Sequence, residues 1–334
     1  MIELNNKLNV SASPHVRSKA TTTGIMLDVI IALCPALIAS VVLFGWRALA
    51  VSAVCIGVCV LAEYVSRKVM KRSNTIGDLS AIVTGLLLAF NLPSGVPLWI
   101  AAVGSVVAIV IIKQFFGGIG QNFINPALGA RIVLLTSFPS EMATWVKPLS
   151  WKTEAVTTAS PLAAMYDESK TFTTQNLPSL TDMLLGNRAG CLGEVCAVAL
   201  ILGGLYLIIR KVISPVIPLA FIGTVGVFMA IKSGFDWEFV AYQLLSGGLL
   251  LGAIFMATDY TTSPISFKGK IIYGIGCGLV ASLIRCFGNL PEGVSFAIVL
   301  MNILVPHIET LTTPKPFGTV KEKKEKKSKE EKAQ

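Results

Sequence analysis

Residues 24–45, GIMLDVIIALCPALIASVVLFG, form an apolar run in which Asp28 is the single charged residue. A helix needs about 20 consecutive apolar residues to cross about 30 Å of hydrocarbon, and this stretch meets that length. A second apolar run, residues 47–66, follows at once and ends at the basic cluster formed by Arg67, Lys68, Lys71 and Arg72. Two adjacent runs of this kind predict two membrane-spanning helices.

The composition of the whole chain agrees with a lipid environment. The 334 residues are 53% hydrophobic and only 14% charged, with a mean hydropathy of +0.71, which is more apolar material than a soluble domain needs. We therefore predict an all-α polytopic membrane protein of about ten transmembrane helices. The predicted spans are 24–45, 47–66, 76–92, 95–113, 122–138, 189–209, 214–232, 238–258, 270–287 and 293–311.

Lysine and arginine collect beside alternate connections, which predicts the orientation by the positive-inside rule. The basic residues on that side are Lys7, Arg17, Lys19, Arg67, Lys68, Lys71, Arg72, Arg210, Lys211, Lys268 and Lys270. We expect a multi-pass protein of the inner or plasma membrane with both termini cytoplasmic. We expect the first span to serve as the targeting signal, because the first twenty residues lack the features of a secretory leader.

The chain accordingly divides into five parts. These are the cytoplasmic segment 1–23, a first membrane half 24–138, an extracytoplasmic loop 139–188, a second membrane half 189–313, and a disordered basic tail 314–334. Basic cytoplasmic tails usually orient a protein or touch anionic lipid, so membrane lipid is the expected partner and nucleic acid is not. The seven cysteines match neither a zinc nor an iron–sulfur spacing, and no metal site is predicted.

Two short echoes bear on internal symmetry. Residues 85–89, GLLLA, resemble residues 248–252, GLLLG, five spans later, and an odd offset favours two inverted five-helix halves. A second echo, NLPSGV at 91–96 and NLPEGV at 289–294, is six spans apart and does not fit that symmetry.

Several ionisable residues fall at membrane depth, where each costs roughly 2.5–3.5 kcal/mol on insertion scales. They are Asp28, Glu63, Arg131, Glu194 and Asp259. Some are expected to be simply paired. Another three, Asp78, Arg285 and Glu309, lie near span ends and are interpreted as solvated interfacial residues.

The stretch GGIGQNFINPA, residues 117–127, predicts a broken helix. Three glycines precede Asn122 and Asn125, and Pro126 stands where a new helix can begin. The two amides would share one helix face, where they suit a uracil-like ring edge and a helix-packing role about equally. Farther along, Asp259 within MATDYTTSP, residues 256–264, either caps the following turn or contacts a cation or cofactor.

These motifs resemble those of the D subunits of Rnf complexes, which are membrane-bound ferredoxin:NAD oxidoreductases, and more distantly the B subunits of sodium-translocating NADH:quinone reductases. The matching stretches are 13–17, 25–28, 122–127, 154–162, 193–194, 256–264, 291–298 and 301–302. The resemblance implies a ten-helix bundle of two inverted halves, similar to urea channels. It also implies FMN held by a phosphoester to a hydroxyl in the outer loop.

The attachment tag of that family reads Asp-x-x-Ser/Thr-x-Ala-Thr. It places the acid at Glu154, the first hydroxyl at Thr157 and the flavin-bearing residue at Ser160, with Glu for Asp and Ser for Thr as departures. Thr158 and Thr157 are the alternative acceptors, and a flavin transferase is the implied maturation partner. Without the resemblance, residues 154–162 are typical of a solvated loop.

The same resemblance implies noncovalent riboflavin near Glu63, Asn122, Asn125 and Pro126, and Asp259 joins them as a candidate cofactor contact. The function it implies is electron transfer, with other complex subunits as partners, coupled to sodium or proton translocation. Two alternative functions follow from the residues alone. The first is a channel or secondary transporter for a small polar solute, since broken helices and midplane acids also suit such a protein. The second is a purely structural membrane anchor.

Overall fold

The computed structural model describes residues 20–149, 160–165, 177–288 and 292–314. Within these ranges the regular structure is helical, apart from one isolated bridge between Pro93 and Cys191. This confirms the all-α prediction. The helices are α1 (Thr22–Phe44), α2 (Trp46–Val69), α3 (Ser80–Phe90), α4 (Leu98–Val106), α5 (Pro126–Ser137), α6 (Pro139–Met142), α7 (Pro161–Ala164), α8 (Leu180–Leu185), α9 (Ala197–Ile209), α10 (Val216–Ser233), α11 (Trp237–Leu245), α12 (Leu249–Leu251), α13 (Phe267–Phe287) and α14 (Val294–Thr312).

Two of these helices continue with π geometry, α4 over Val107–Gln114 and α12 over Gly252–Met256. A 3₁₀ turn at Ile76–Asp78 precedes α3. The predicted outer loop, 139–188, is partly helical, because α6, α7 and α8 lie in its described portions. Most of the predicted tail 314–334, and residues 1–19 of the predicted N-terminal segment, lie outside the described residues.

Each of the ten predicted spans contains one helical unit, but the units differ in length. Five helices, α1, α2, α10, α13 and α14, are long and apolar enough to cross a membrane, and α11 with α12 makes a sixth unit bent by 64°. The other four, α3, α4 with its π extension, α5 and α9, are shorter. A helix rises only 1.5 Å per residue, so the shortest of these units end inside the bundle.

The end of α3 meets the end of the π segment that follows α12. Asn91, at the end of α3, places its Nδ2 3.5 Å from Sδ of Met256, at the end of the π segment after α12. The first glycine–leucine echo, 85–89, lies within α3, and the second, 248–252, runs from the N-cap of α12 to the first residue of its π extension. Their meeting brings the first and second membrane halves together, while inverted symmetry itself stays a prediction.

Glycine permits the closest helix contacts, as is usual between membrane helices. A Cβ on Gly85 of α3 would lie 2.8 Å from Cα of Ile56 in α2. A Cβ on Gly203 of α9 would overlap the carbonyl oxygen of Ala32 in α1. Backbones therefore touch at both positions.

The outer surface of the bundle is apolar. Ile38, Leu61, Leu219 and Ile231 are each more than 60% exposed although they lie on long helices. Large contiguous apolar surfaces of this kind are rare on soluble monomers. With the length of the helices, they support a multi-pass membrane protein.

Candidate functional site

A cavity of about 420 Å³ lies beside the N-terminal half of α1 and the first turns of α3. Its walls are mainly apolar and include Ile25, Val29, Val83, Leu87 and Phe255. Its polar lining comes from chain segments that are far apart in sequence, notably Lys113, Asn122, Asn125 and Asp259. Ligand pockets typically combine such walls with a few placed polar groups, so this cavity is the first candidate site.

The break ahead of α5 forms one side of the cavity, and it is built as predicted. Gly117, Gly118 and Gly120 all have positive φ, at 127°, 104° and 86°, a region that residues with a Cβ rarely adopt. Helix α5 then begins at Pro126, as the sequence indicated. The prediction of a broken helix is confirmed.

Asn122 and Asn125 were predicted to lie on one face of a helix, but only Asn125 belongs to the start of α5. Asn122 precedes the helix and donates from Nδ2 to the carbonyl of Ile124 at 3.0 Å, so the two residues do not share a helix face. Asn125 is the N-cap, accepting from the amide of Ala127 at 3.0 Å and donating to the carbonyl of Met256 at 3.3 Å. Both nevertheless line the cavity.

Glu63 is buried behind the cavity wall and pairs with Lys113, which does line the cavity. Lys113 Nζ lies 2.8 Å from Glu63 Oε2 and 2.7 Å from Ser80 Oγ. Thr75 Oγ1 donates to the other carboxylate oxygen at 2.6 Å. Sequence reasoning missed Lys113, which ends an apolar run and has no partner within reach along its own helix.

Removal of Lys113 is expected to destabilise the protein strongly. Lys113→Met leaves the Glu63 carboxylate buried without its cation, which costs roughly 3–5 kcal/mol. The double variant Lys113→Met/Glu63→Met removes both charges and should regain most of that loss, because apolar replacements of a buried pair are often nearly neutral. Thermal unfolding in detergent measures both; a double variant as unstable as the single one would contradict this account.

Asp259 caps the turn that follows the π segment, which confirms the first of its two interpretations. Its carboxylate accepts from the amide and hydroxyl of Thr261, at 3.4 and 3.2 Å, and from the hydroxyl of Thr262 at 3.4 Å. These bonds hold the turn after the π segment. The carboxylate also lines the cavity.

Ser160 lies at a second place, away from the cavity lining. It is 4% exposed and is followed directly by α7. Leu162 packs against Gly247, in the break between α11 and α12, and Gln243 Nε2 lies 3.7 Å from Sδ of Met165. The segment 160–165 is thus seated on the bundle at the helix break, whereas Glu154, Thr157 and Thr158 lie outside the described residues.

Two arginines hold this helix break. Arg285 is 2% exposed and donates to the carbonyls of Gln243 and Ser246 at 2.7 and 3.0 Å, so its interpretation as a solvated interfacial residue is wrong. Arg188 donates to the carbonyl of Leu245. The carbonyls at a helix C-terminus lack intrahelical partners, and these guanidinium groups supply them. Neither role was visible in the sequence, because the donors and acceptors are 39–57 positions apart.

Two further charged side chains are paired, as expected for membrane depth. Asp28 accepts from the hydroxyl of Tyr206 at 2.9 Å and from Arg210 at 3.3 Å. Arg131 binds the carboxylate of Glu292. The chain therefore contains two separate candidate sites, a cavity with polar groups and a buried hydroxyl at a helix break.

Comparisons with known proteins cover nearly the whole chain. A sequence model of the NQR2, RnfD, RnfE family matches residues 9–318. The chain is 50% identical over 331 residues to the D subunit of the Na(+)-translocating ferredoxin:NAD(+) oxidoreductase complex of Acetobacterium woodii, covering 98% of this chain and 100% of that protein. It is 42% identical over 322 residues to the D subunit of the proton-translocating ferredoxin:NAD(+) oxidoreductase complex of Clostridium ljungdahlii, covering 94% and 97%. It is 37% identical over 335 residues to the D subunit of the ion-translocating oxidoreductase complex of Stutzerimonas stutzeri, covering 90% and 93%.

Proposed function

Because this chain belongs to the NQR2, RnfD, RnfE family, we propose that it is the D subunit of an ion-translocating ferredoxin:NAD oxidoreductase complex. The observation that carries the proposal is the 50% identity to such a subunit over essentially both full lengths. The protein acts as one subunit of a translocase, with the other subunits of the complex as its partners. The similar proteins are named for sodium and for protons, so we propose translocation of one of these two cations as the coupled process.

Within that complex we propose that the chain carries covalent FMN on Ser160, with Thr158 and Thr157 as alternative acceptors. Support comes from the family tag and from the seat of residues 160–165 on the bundle. A serine hydroxyl is competent to form a phosphoester, and a flavin transferase would install the group. Bound FMN would supply the electron-carrying chemistry.

The side chains around Ser160 have a positioning role in this proposal. Leu162 packs at Gly247, and Arg188 and Arg285 fix the helix break beneath it. An attachment point on such rigid support holds a tethered group in one place, as electron transfer between fixed partners requires. By the distribution of basic residues, both termini are cytoplasmic and Ser160 faces the opposite side.

The cavity is proposed as the site of a noncovalent riboflavin. Its volume of about 420 Å³ falls within the range usual for ligand pockets, about 300–1,000 Å³. Its apolar walls suit a flat ring system, while Lys113, Asn122 and Asp259 present polar groups for orientation. Asn125 and Pro126 shape the wall as a helix start, and Glu63 acts through Lys113 rather than by contact.

The direct test of covalent attachment is mass spectrometry of the peptide spanning about residues 148–170, from protein matured in its native host. We expect a mass increase equal to FMN less water on one hydroxyl, at Ser160. A channel or secondary transporter, the alternative of another class, requires no such group. An unmodified peptide together with a non-fluorescent band on a denaturing gel would favour that alternative.

Filling the cavity is expected to expel riboflavin while leaving covalent FMN in place. Val83→Trp puts an indole into the apolar wall, and the flavin released by heat denaturation should fall from about one per chain to a small fraction. Val227→Trp is the matched control, because Val227 is 62% exposed on the outer face of α10. Chromatography with fluorescence detection measures the released flavin. Equal release from both variants would show that riboflavin, if bound, lies elsewhere.

A further inference from the structure

The last turn of α2 contains a buried cation that no carboxylate of the described residues neutralises. Arg67 is 8% exposed, and its Nε is buried without a hydrogen-bond partner. None of the ion pairs between described residues includes it. Burial of an unpaired charge is costly. This place therefore suits an anion that the described part of the chain does not supply.

A glycine makes room for this guanidinium. Gly118, in the break ahead of α5, has a φ of 104°, and a Cβ there would overlap NH2 of Arg67. The same Cβ would lie 3.6 Å from Oε1 of Gln114, whose side chain is fully buried and has both polar atoms unpartnered among the described residues. Two buried polar side chains thus lie against one glycine, and the amide of Gln114 adds a donor beside the guanidinium.

Three exposed basic residues follow Arg67 within five positions, Lys68, Lys71 and Arg72. Arg72 NH1 donates to the backbone carbonyl of Gln114 at 3.4 Å, so Arg72 reaches across to the same loop. Cations at a helix C-terminus are stabilised by the dipole of the helix, which accounts for the exposed residues. It does not account for Arg67, whose guanidinium donates to no carbonyl of the described residues.

Apolar surface adjoins this basic end of α2. Val65 and Val69 are 54% and 76% exposed, and Phe115 and Phe116, directly after Gln114, are exposed as well. Helix α2 is long and apolar enough to cross a membrane, so its last turn lies at the border between hydrocarbon and head groups. A soluble anion would gain nothing from the exposed apolar side chains, whereas a phospholipid would bury acyl chain against them.

We propose that the end of α2 binds the phosphate group of an anionic phospholipid, with Arg67 as its main contact and with Arg72 and Lys68 adding positive charge. A guanidinium matches phosphate with two parallel hydrogen bonds, which an ammonium does not offer. The acyl chains lie along the exposed valines of α2, and by the positive-inside rule the lipid belongs to the cytoplasmic leaflet. The site is separate from the cavity lining and from Ser160, so it does not depend on bound flavin.

Native mass spectrometry of the full chain, delipidated in detergent, tests this site. Phosphatidylglycerol and phosphatidylcholine with identical acyl chains are titrated in parallel, because choline neutralises the phosphate charge and glycerol does not. We expect the first phosphatidylglycerol to bind about tenfold more tightly, as one hydrogen bond between charged groups would provide. Arg67→Gln should abolish this preference, and Arg67→Lys, which keeps the charge but lacks the planar fork, should leave a smaller one. Lys268→Gln is the matched control, because it removes a charge at the exposed start of α13, and it should leave the preference unchanged.

The wild-type titration can overturn the proposal by itself, so the test does not depend on folding of the variants. Equal affinities of the wild type for the two lipids would refute the site. A preference that survives in Arg67→Gln would assign it to other basic residues. Displacement of phosphatidylglycerol by inorganic phosphate, but not by chloride at the same ionic strength, would assign the site to a soluble phosphate compound instead of a lipid.

Discussion

Replacing Ser160 with alanine is expected to abolish covalently bound flavin in this chain. The phosphoester needs a side-chain oxygen, and alanine has none, so the effect is complete loss rather than a graded decrease. The purified protein should lose its yellow fluorescence on a denaturing gel under ultraviolet light. Ferredoxin-dependent NAD reduction by the complex should fall to the level seen without this chain.

Controls separate attachment from folding. Ser160→Thr keeps a hydroxyl and should keep fluorescence, and Thr158→Ala and Thr157→Ala should behave like the wild type. The amount of Ser160→Ala protein in the membrane should be nearly unchanged, since a lost hydrogen bond typically costs only about 1 kcal/mol. Fluorescence that survives in Ser160→Ala but vanishes in Thr158→Ala or Thr157→Ala would move the attachment point. Survival in all three would show that the flavin is attached to another residue than these three hydroxyls.

Gly203→Ala is expected to cause a large loss of stability although it adds only one methyl group. The added methyl would overlap the Ala32 carbonyl of α1, and a backbone atom cannot rotate away as a flexible side chain can. Helices α1 and α9 must then separate, at a cost near the upper end of the ~1–3 kcal/mol usual for overpacking. Because these helices belong to different membrane halves, we also expect less assembled complex. Thermal unfolding and the yield of complex measure the two effects.

Gly223→Ala is the matched control. Gly223 also lies within a helix, α10, but a Cβ there would meet no atom within 4 Å. Alanine has the higher helix propensity, so stability should be unchanged or slightly raised. If Gly203→Ala unfolded at no lower temperature than Gly223→Ala, the close approach of α1 and α9 would not be present in the membrane.

Local sequence patterns predicted some of the candidate site. Asn125 and Pro126 indicate a helix start because capping depends on neighbouring residues, and the structure begins α5 at Pro126. The glycines ahead of them indicate a break for the same reason. The prediction that Asn122 shares a helix face with Asn125 is wrong, because Asn122 lies ahead of α5 where the chain is not helical. Whether the cavity and Ser160 carry flavin stays a prediction that rests on resemblance.

Other site residues could not be predicted from the sequence. In the sequence, Lys113 is simply the basic end of an apolar run, but in the structure it pairs with Glu63. Arg285 has the position of an interfacial residue, but in the structure it donates to the carbonyl of Ser246. Glu292 stood out only as one position in a repeated hexapeptide. Its partner Arg131 is 161 residues away, and no local pattern encodes a separation of that length.

The amino-acid sequence alone predicts the lipid environment of this protein and its all-α class of structure. Hydropathy is a property of each residue and its near neighbours, so the apolar runs alone required a bundle of membrane helices, and glycine and proline alone required breaks in it. The tertiary structure decided which helices stop inside the bundle, which charges are paired, and that Arg67 is buried without a partner among the described residues. Those features depend on how helices pack, and packing is set by contacts between residues that are distant along the chain.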